Sequence, residues 1–254
     1  MDVLDLHVHT VRMSPDSELN LDDLKRSAEE LGLHGAGITE HDRMWDAIDT
    51  SVQREKYGFN FLRGMEVSTD MGHVLVYGLD AYVSGLHQAV SLRHVVNAAG
   101  GVMISAHPFR RIFRNDHLGG YRLPKSGHGF TSYGDAIEQL ARWPILGLVD
   151  AIEVINGGTD EMENFLAYEV AQYLGKTMTA GSDAHSVHGL GQFVTIFQTP
   201  VRNVEGLIEE VKAGRTAPGT VITTGTETEL IPFGRDVVRD DLEERIRAAI
   251  GVTL

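Results

Sequence analysis

Short apolar runs alternate with longer amphipathic stretches along most of the chain, and this alternation restricts the fold more than any other feature. VLDLHVHT (3–10) reads as a strand and LDDLKRSAEELG (21–32) as a helix closed by glycine. GAGITEHD (35–42) is a second strand, followed by a helix over WDAIDTSVQREKYG. NFLRGMEVST (60–69) and GHVLVYGL (72–79) read as two strands joined by a tight DMG turn. The pattern continues through a helix over LHQAVSLRHVVNAAG, a strand over 101–109, a helix over 134–143, a strand over 147–156, a helix over ENFLAYEVAQYLG and strands over 176–185 and 193–199. Repeated β-then-α order predicts an α/β fold on a parallel sheet, closed as a barrel or open and doubly wound. After VEGLIEEVKAG, residues 214–254 read as a loop-rich return and a terminal helix packed on the same domain, so residues 1–254 are expected to form a single domain with its core motifs in 1–200.

Composition narrows the chemistry. The 22 Lys and Arg against 36 Asp and Glu give a net charge of −14, which disfavours stable binding of duplex nucleic acid but leaves room for a small phosphorylated substrate in a local basic pocket. There is no cysteine, so disulfides and thiolate metal sites are excluded, and a transition metal must be held by His, Asp and Glu. No basic-then-apolar segment opens the chain and no apolar run is long enough to span a bilayer, so a cytoplasmic protein without membrane attachment is expected.

The metal-capable side chains fall at strand ends. His7 and His9 close the first strand, His41 the second, and Glu66 lies late in the third. His73 opens the fourth, His107 ends the fifth, and Asp183 and His185 close the strand that starts near Lys176. In parallel α/β barrels the C-terminal ends of the strands carry the active site. Period-two alternation places His7 with His9, and Asp183 with His185, on shared faces, leaving Val8 and Ala184 toward the surrounding helices. Imidazole mixed with carboxylate suits Zn, Mn or Fe(II), and adjacent cations can generate hydroxide at neutral pH and clamp phosphate oxygens.

These motifs, in order H-x-H-T, S-P-D-S, T-E-H-D, G-x-E, G-H-V-L, A-H-P, E-V-x-N and G-S-D-A-H, resemble the PHP (polymerase and histidinol phosphatase) family of metal-dependent phosphoesterases. The resemblance implies a distorted (β/α)7 barrel and up to three divalent cations per chain. It implies that His7, His9, Glu66 and Asp183 hold the first cation, and that Glu66 bridges to a second held by His73 and His107. Asp16, His41 and His185 would hold the third. Asp16 is histidine in the histidinol-phosphatase branch and aspartate in the polymerase and nucleotide-phosphatase branches, so the resemblance points to a nucleotide-like ester.

The expected reaction is hydrolysis of a small phosphate ester, a nucleoside bisphosphate or short oligonucleotide, by a metal-bridging hydroxide at the centre that contains Asp183. His188, three residues beyond His185, is the candidate acid for the leaving alkoxide. Arg12 and Arg43 follow the His9 and His41 motifs and are candidate phosphate contacts, Arg12 with a direct part in catalysis. Arg110, Arg111 and Arg114 offer a second phosphate clamp in the basic segment after His107. Glu153 and Asn156, at the end of the sixth strand, are expected to support the ligands or touch substrate. The competing readings are a histidinol-phosphate phosphatase or another phosphomonoesterase, a nuclease trimming oligonucleotide ends and a non-catalytic metal-binding PHP module.

Overall fold

The computed structural model describes residues 1–113, 130–224, 227–234 and 241–251. Arg114, His117 and His128 lie outside the described residues. Among the described residues ten strands form one mixed sheet in the order β10-β9-β8-β1-β2-β3-β4-β5-β6-β7. These are β1 (Asp2–Val8), β2 (Gly35–Ile38), β3 (Phe61–Thr69), β4 (Gly72–Tyr77), β5 (Val102–Ser105), β6 (Ala151–Asn156), β7 (Thr177–Gly181), β8 (Phe193–Phe197), β9 (Thr216–Thr224) and β10 (Glu227–Pro232). The helices are α1 (Leu21–Glu30), α2 (Ala47–Tyr57), α3 (Ala89–Ala98), α4 (Tyr133–Ala141), α5 (Pro144–Leu148), α6 (Glu161–Leu174), α7 (Val204–Lys212) and α8 (Leu242–Ala249).

The sheet departs from the expected parallel order at β4, at β8, which runs antiparallel to β1, and at the β9–β10 hairpin. The DMG turn makes β3 and β4 a hairpin, so β4 runs antiparallel to both β3 and β5. The strands β1-β2-β3 and β5-β6-β7 are parallel. The expected loop-rich return is also a hairpin, β9 with β10, added antiparallel to β8. Between α4 and β6, residues read as the start of a strand instead form the short helix α5, opened by Pro144.

Most helix starts are set by local chemistry. Asn20, Asp46, Ser132 and Asn203 cap α1, α2, α4 and α7 with their side chains, and Asp160 with Glu163 closes a capping box on α6. Apolar faces then pack into three clusters. One lies between β3–β7 and helices α3–α6 and α8. A second joins Val8 and Ala184 to Leu24 and Ala28 of α1. The third gathers Leu4, Leu6, Leu62, Leu75, Tyr77, Ile104 and Phe197 from β1, β3, β4, β5 and β8.

Tyr77 shows how far the sheet curls. Its ring crosses Gly37 and Gly64, where an added Cβ would fall 2.0 and 2.6 Å from Tyr77 atoms, and its hydroxyl donates to Leu6 O at 2.6 Å. Only glycine leaves room for that crossing. No continuous ladder joins β7 to β1 among the described residues, but Ala184, just beyond β7, makes a parallel bridge with Val8 and accepts from His9 N at 3.0 Å.

Asp5 ties the same two regions together. Its carboxylate is fully buried and accepts from His7 N (3.1 Å), Ser182 N (2.9 Å) and Gly191 N (3.0 Å). Burial pushes the carboxyl up to about 6, with these donors opposing the rise. Removing the side chain would orphan three buried N–H groups, and each orphaned donor costs about 1–3 kcal/mol. Asp5→Ala should therefore lose about 3 kcal/mol in urea unfolding, whereas Asp5→Asn, which keeps the Oδ1 acceptor, should lose less than half as much. Equal losses for both variants would contradict this account.

Candidate metal centre

Five imidazoles surround one buried carboxylate. Glu66, 1% exposed, faces His41 Nδ1 and His73 Nδ1 at 2.8 Å, His107 Nε2 at 3.0 Å, His9 Nε2 at 3.5 Å and His7 Nε2 at 3.6 Å. The topology explains the convergence. The ends of β1, β2 and β5 deliver His9, His41 and His107, while the β3–β4 hairpin sets His73 opposite Ser68, two residues from Glu66 on the same face. His41 pairs with Glu66 in an isolated parallel bridge.

Asp183 forms the opposite wall. Its Oδ1 lies 3.3 Å from His9 Nε2 and 3.5 Å from His7 Nε2, and its Oδ2 is 4.0 Å from His107 Nε2. The period-two argument for Asp183 and His185 does not hold, because β7 ends at Gly181 and Asp183 is left-handed (φ 55°). The left-handed Asp183 redirects the chain there, and His185 Nδ1 donates to Asp183 O at 2.8 Å. His107 (φ 30°) is also left-handed, so two candidate ligands carry backbone strain. Gly181 is required here, since a Cβ would lie 2.4 Å from His7 Cβ.

The nine residues form a floor and a rim. His7, His9, Glu66, Asp183 and His107 have side chains 0–6% exposed, and those of His41, His185, His73 and Asp16 are 29%, 31%, 40% and 59% exposed. His9 is stacked between His41 and His185, at ring distances of 4.1 and 4.3 Å. Asp16 Oδ2 completes that corner, 3.2 Å from His41 Nε2 and 3.5 Å from His185 Nε2. Ligand atoms close enough to share a cation occur in His7/His9/Glu66, His7/His107/Asp183, Glu66/His73/His107 and His9/His41/His185.

The donor set fits divalent cations. His7 Nε2 and His9 Nε2 are buried with no hydrogen-bond partner among the described residues, an arrangement that costs free energy unless a cation takes the lone pairs. The other ring nitrogens are held from behind. His7 Nδ1 donates to Glu153 Oε1 at 3.0 Å, and Glu153 also accepts from His107 N (3.0 Å) and Asn156 Nδ2 (2.9 Å).

Asn156 is fully buried beside Glu153, and its Oδ1 accepts from Gly158 N at 2.7 Å. Arg12 pairs with Asp49 at 2.5 Å and lies 4.5 Å over the Trp45 ring, on the rim. Arg43 and His188 are exposed, and neither side chain has a described partner. Arg110 points inward, its Nη1 3.2 Å from Asp183 Oδ2. Arg111 lines a cavity of about 260 Å³ beside His73, His107 and Arg110, walled by Met71, Ile145 and Trp143.

Sequence reasoning missed Glu40, fully buried behind His9. It accepts from Thr10 N (3.0 Å), Thr10 Oγ1, Ser14 Oγ (2.5 Å) and Trp45 Nε1 (2.8 Å). Its sequence signal is the acid of the T-E-H-D motif, directly before His41.

The charges shift one another strongly. Burial opposes the imidazolium of His7, but Glu153, Asp183 and Glu66 outweigh it and hold the group well above its usual 6.5. The hydrogen bond to Glu66 raises His41. Burial also opposes ionisation of Glu66 and Asp183, yet the facing imidazoles, His7 foremost, hold both well below the usual carboxylate range. Burial lowers His9 to about 4. Linkage sets the signs. The raised histidines contribute stability that is present below 6.5 and lost as pH rises through their raised values. Glu66 and Asp183 contribute stability that is present above 4.5 and 3.8 and lost as pH falls below them. Asp5 and His9 shift in opposite stability senses over nearly the same range and offset each other. Chelator-treated protein should therefore melt highest between about pH 4.5 and 6.5, and saturating Zn²⁺ should move the optimum upward because binding displaces protons. A melting temperature that climbs from pH 6.5 to 8.5 without metal would contradict this.

Comparison with known proteins bears on the whole chain. A family model described as PHP domain matches residues 5–178, and one described as PHP-associated matches 161–216, the part that contains Asp183 and His185. PsfC from Pseudomonas syringae PB-5123 is similar in structure, with a TM-score of 0.55 at 17% identity over 98% of this chain and 96% of that one. A candidate metal-dependent phosphoesterase from Bifidobacterium adolescentis gives 0.55 at 16% identity, over 82% and 95%. An amidohydrolase from Chromobacterium violaceum with bound sulfate and no metal gives 0.52 at 17%, over 82% and 96%. No curated protein sequence matches. Identities this low establish likeness of fold, and no helix among the described residues is long and apolar enough to cross a membrane. The ordered motifs and the match over residues 5–178, well over half of the sequence, place this chain in the PHP family.

Proposed function

We propose that the chain is a metal-dependent phosphoesterase acting on a small nucleotide-like ester, a nucleoside bisphosphate or a short oligonucleotide. The observation that carries this reading is the pair of buried, unpartnered Nε2 atoms of His7 and His9 facing Glu66 and Asp183. In this reading His7, His9, Glu66 and Asp183 hold one cation, Glu66 with His73 and His107 a second, and Asp16, His41 and His185 a third. Such cations, when bound, supply an activated water at neutral pH and draw charge from phosphate oxygens.

The chain's own groups do the rest. Arg110, now on Asp183, swings a guanidinium onto a phosphate oxygen. The cavity beside His73 and His107 takes the remainder of the ester. Its Trp143, Met71 and Ile145 offer a flat apolar face for a base, while Arg111 offers charge for a second phosphate. His188 is the candidate proton donor to the leaving alkoxide. Arg12, though engaged by Asp49, and the exposed Arg43 are the rim candidates for substrate contact. The net charge of −14 favours small esters over duplex nucleic acid.

We also propose that residues 1–254 work as one catalytic unit built on a distorted barrel. The Val8–Ala184 bridge and the crossing of Tyr77 to Leu6 support the curl, and the pairing of β8 with β9 supports the unity.

Phosphate release with Mn²⁺ or Zn²⁺ across nucleoside bisphosphates, short oligonucleotides, histidinol phosphate and sugar phosphates tests the reading. Turnover is expected on the nucleotides and abolished by His9→Ala. Trp143→Ala should raise KM for nucleotides by about tenfold with little change in kcat, the loss of one stacking contact. No turnover above the His9→Ala control on any substrate would sink the proposal.

A further inference from the structure

The buried carboxylate of Glu40 has no place in the ligand set, yet four donors converge on it. Two of them cannot reverse: the Thr10 N–H reaches Oε2, and the Trp45 Nε1–H reaches Oε1. Both oxygens are therefore acceptors. The hydroxyls of Thr10 and Ser14 supply the remaining protons, Ser14 at 2.5 Å. Ser14 thereby spends its only proton on Glu40. Its oxygen, 3.3 Å from His9 Nδ1, is left to accept, and the His9 ring must carry its proton on Nδ1. That leaves the Nε2 lone pair pointing at Glu66 and Asp183, at 3.5 and 3.3 Å.

We infer that Glu40, acting through Ser14, is a positioning residue that sets the tautomer of His9 and so presents Nε2 to the cation. The same carboxylate binds Thr10 and Ser14, near the two ends of the loop that follows His9, and holds Trp45, whose ring carries Arg12. Glu153 does the equivalent for His7 by a direct contact at 3.0 Å, so the centre uses two different supports for its H-x-H pair. The inference rests on cation binding at His9 and not on the identity of the ester.

Replacing Glu40 by Gln puts an amide N–H₂ against one of the fixed donors. Where that group lands at the Oε2 position, Ser14 must reverse, donate to His9 Nδ1 and move the ring proton to Nε2. Loss of such a partner typically weakens cation binding by about 10- to 100-fold.

The test is Zn²⁺ titration of chelator-treated wild type, Glu40→Gln, Ser14→Ala and the double variant, with imidazole N–H signals followed by NMR in the Zn²⁺-loaded proteins. Ser14→Ala is the milder change and serves if Glu40→Gln does not fold. Each single variant should bind the tightest Zn²⁺ about tenfold or more weakly, and the double variant no more weakly than the worse single one. The protected His9 Nδ1–H signal should vanish from the variants while that of His7 persists. A His9 Nδ1–H that stays protected with affinity within twofold of wild type would overturn the inference, as would fully additive losses. Wild type that binds no Zn²⁺ would instead fail the metal-centre reading itself, a separate outcome.

Discussion

Glu66 sits at 1% exposure among five imidazoles, and the rest of the structure is arranged around the cost of that burial. An isolated carboxylate there would be prohibitively desolvated, so its ionised form depends on the positive charge that surrounds it. Without cations, protons on His7 and His41 supply that charge, and both groups titrate upward in consequence. Protons and cations therefore compete for one set of lone pairs. The competition is built into the fold, because no side chain on the floor has solvent as an alternative partner.

The fold meets this demand with strand ends and one hairpin. Parallel strands bring His9, His41 and His107 to one end of the sheet, and the antiparallel β4 starts where β3 finishes, so that His73 arrives from the other direction. Asp5 fastens β1 to the segment after β7 and so holds His7 against Asp183. A second layer locks the rings: Glu153 and Asn156 behind His7, and Glu40 and Ser14 behind His9. Positioning of this kind demands rigid supports, because small displacements of a ligand spoil coordination.

Much of this was legible in the sequence because strand order and side-chain type are local properties. The order of the eight strand-end ligand candidates, the DMG turn and the outward Val8 all follow from residue spacing, and the structure brings those eight side chains together. What escaped is conformational or long-range. Left-handed backbone at Asp183 and His107 leaves no mark on a sequence of non-glycine residues, so Asp183 and His185 were placed by a pleat that ends at Gly181. The hairpin of β9 and β10 is weakly apolar and half exposed, which disguised it as loop. Asn156 and Glu40 carry polar side chains at strand ends, and sequence cannot tell a ligand's support from a ligand or a substrate contact. Arg12 reads as free for phosphate until the structure shows Asp49 and Trp45 beside it.

The central claim is that this cluster is a multinuclear cation site and not a neutralised polar core. Native mass spectrometry of protein purified without chelator counts the cations directly. Two or three per folded chain, reduced to no more than one by Glu66→Ala, is the predicted result. Fully folded wild type carrying one cation or none, even after incubation with Mn²⁺ and Zn²⁺, would contradict it.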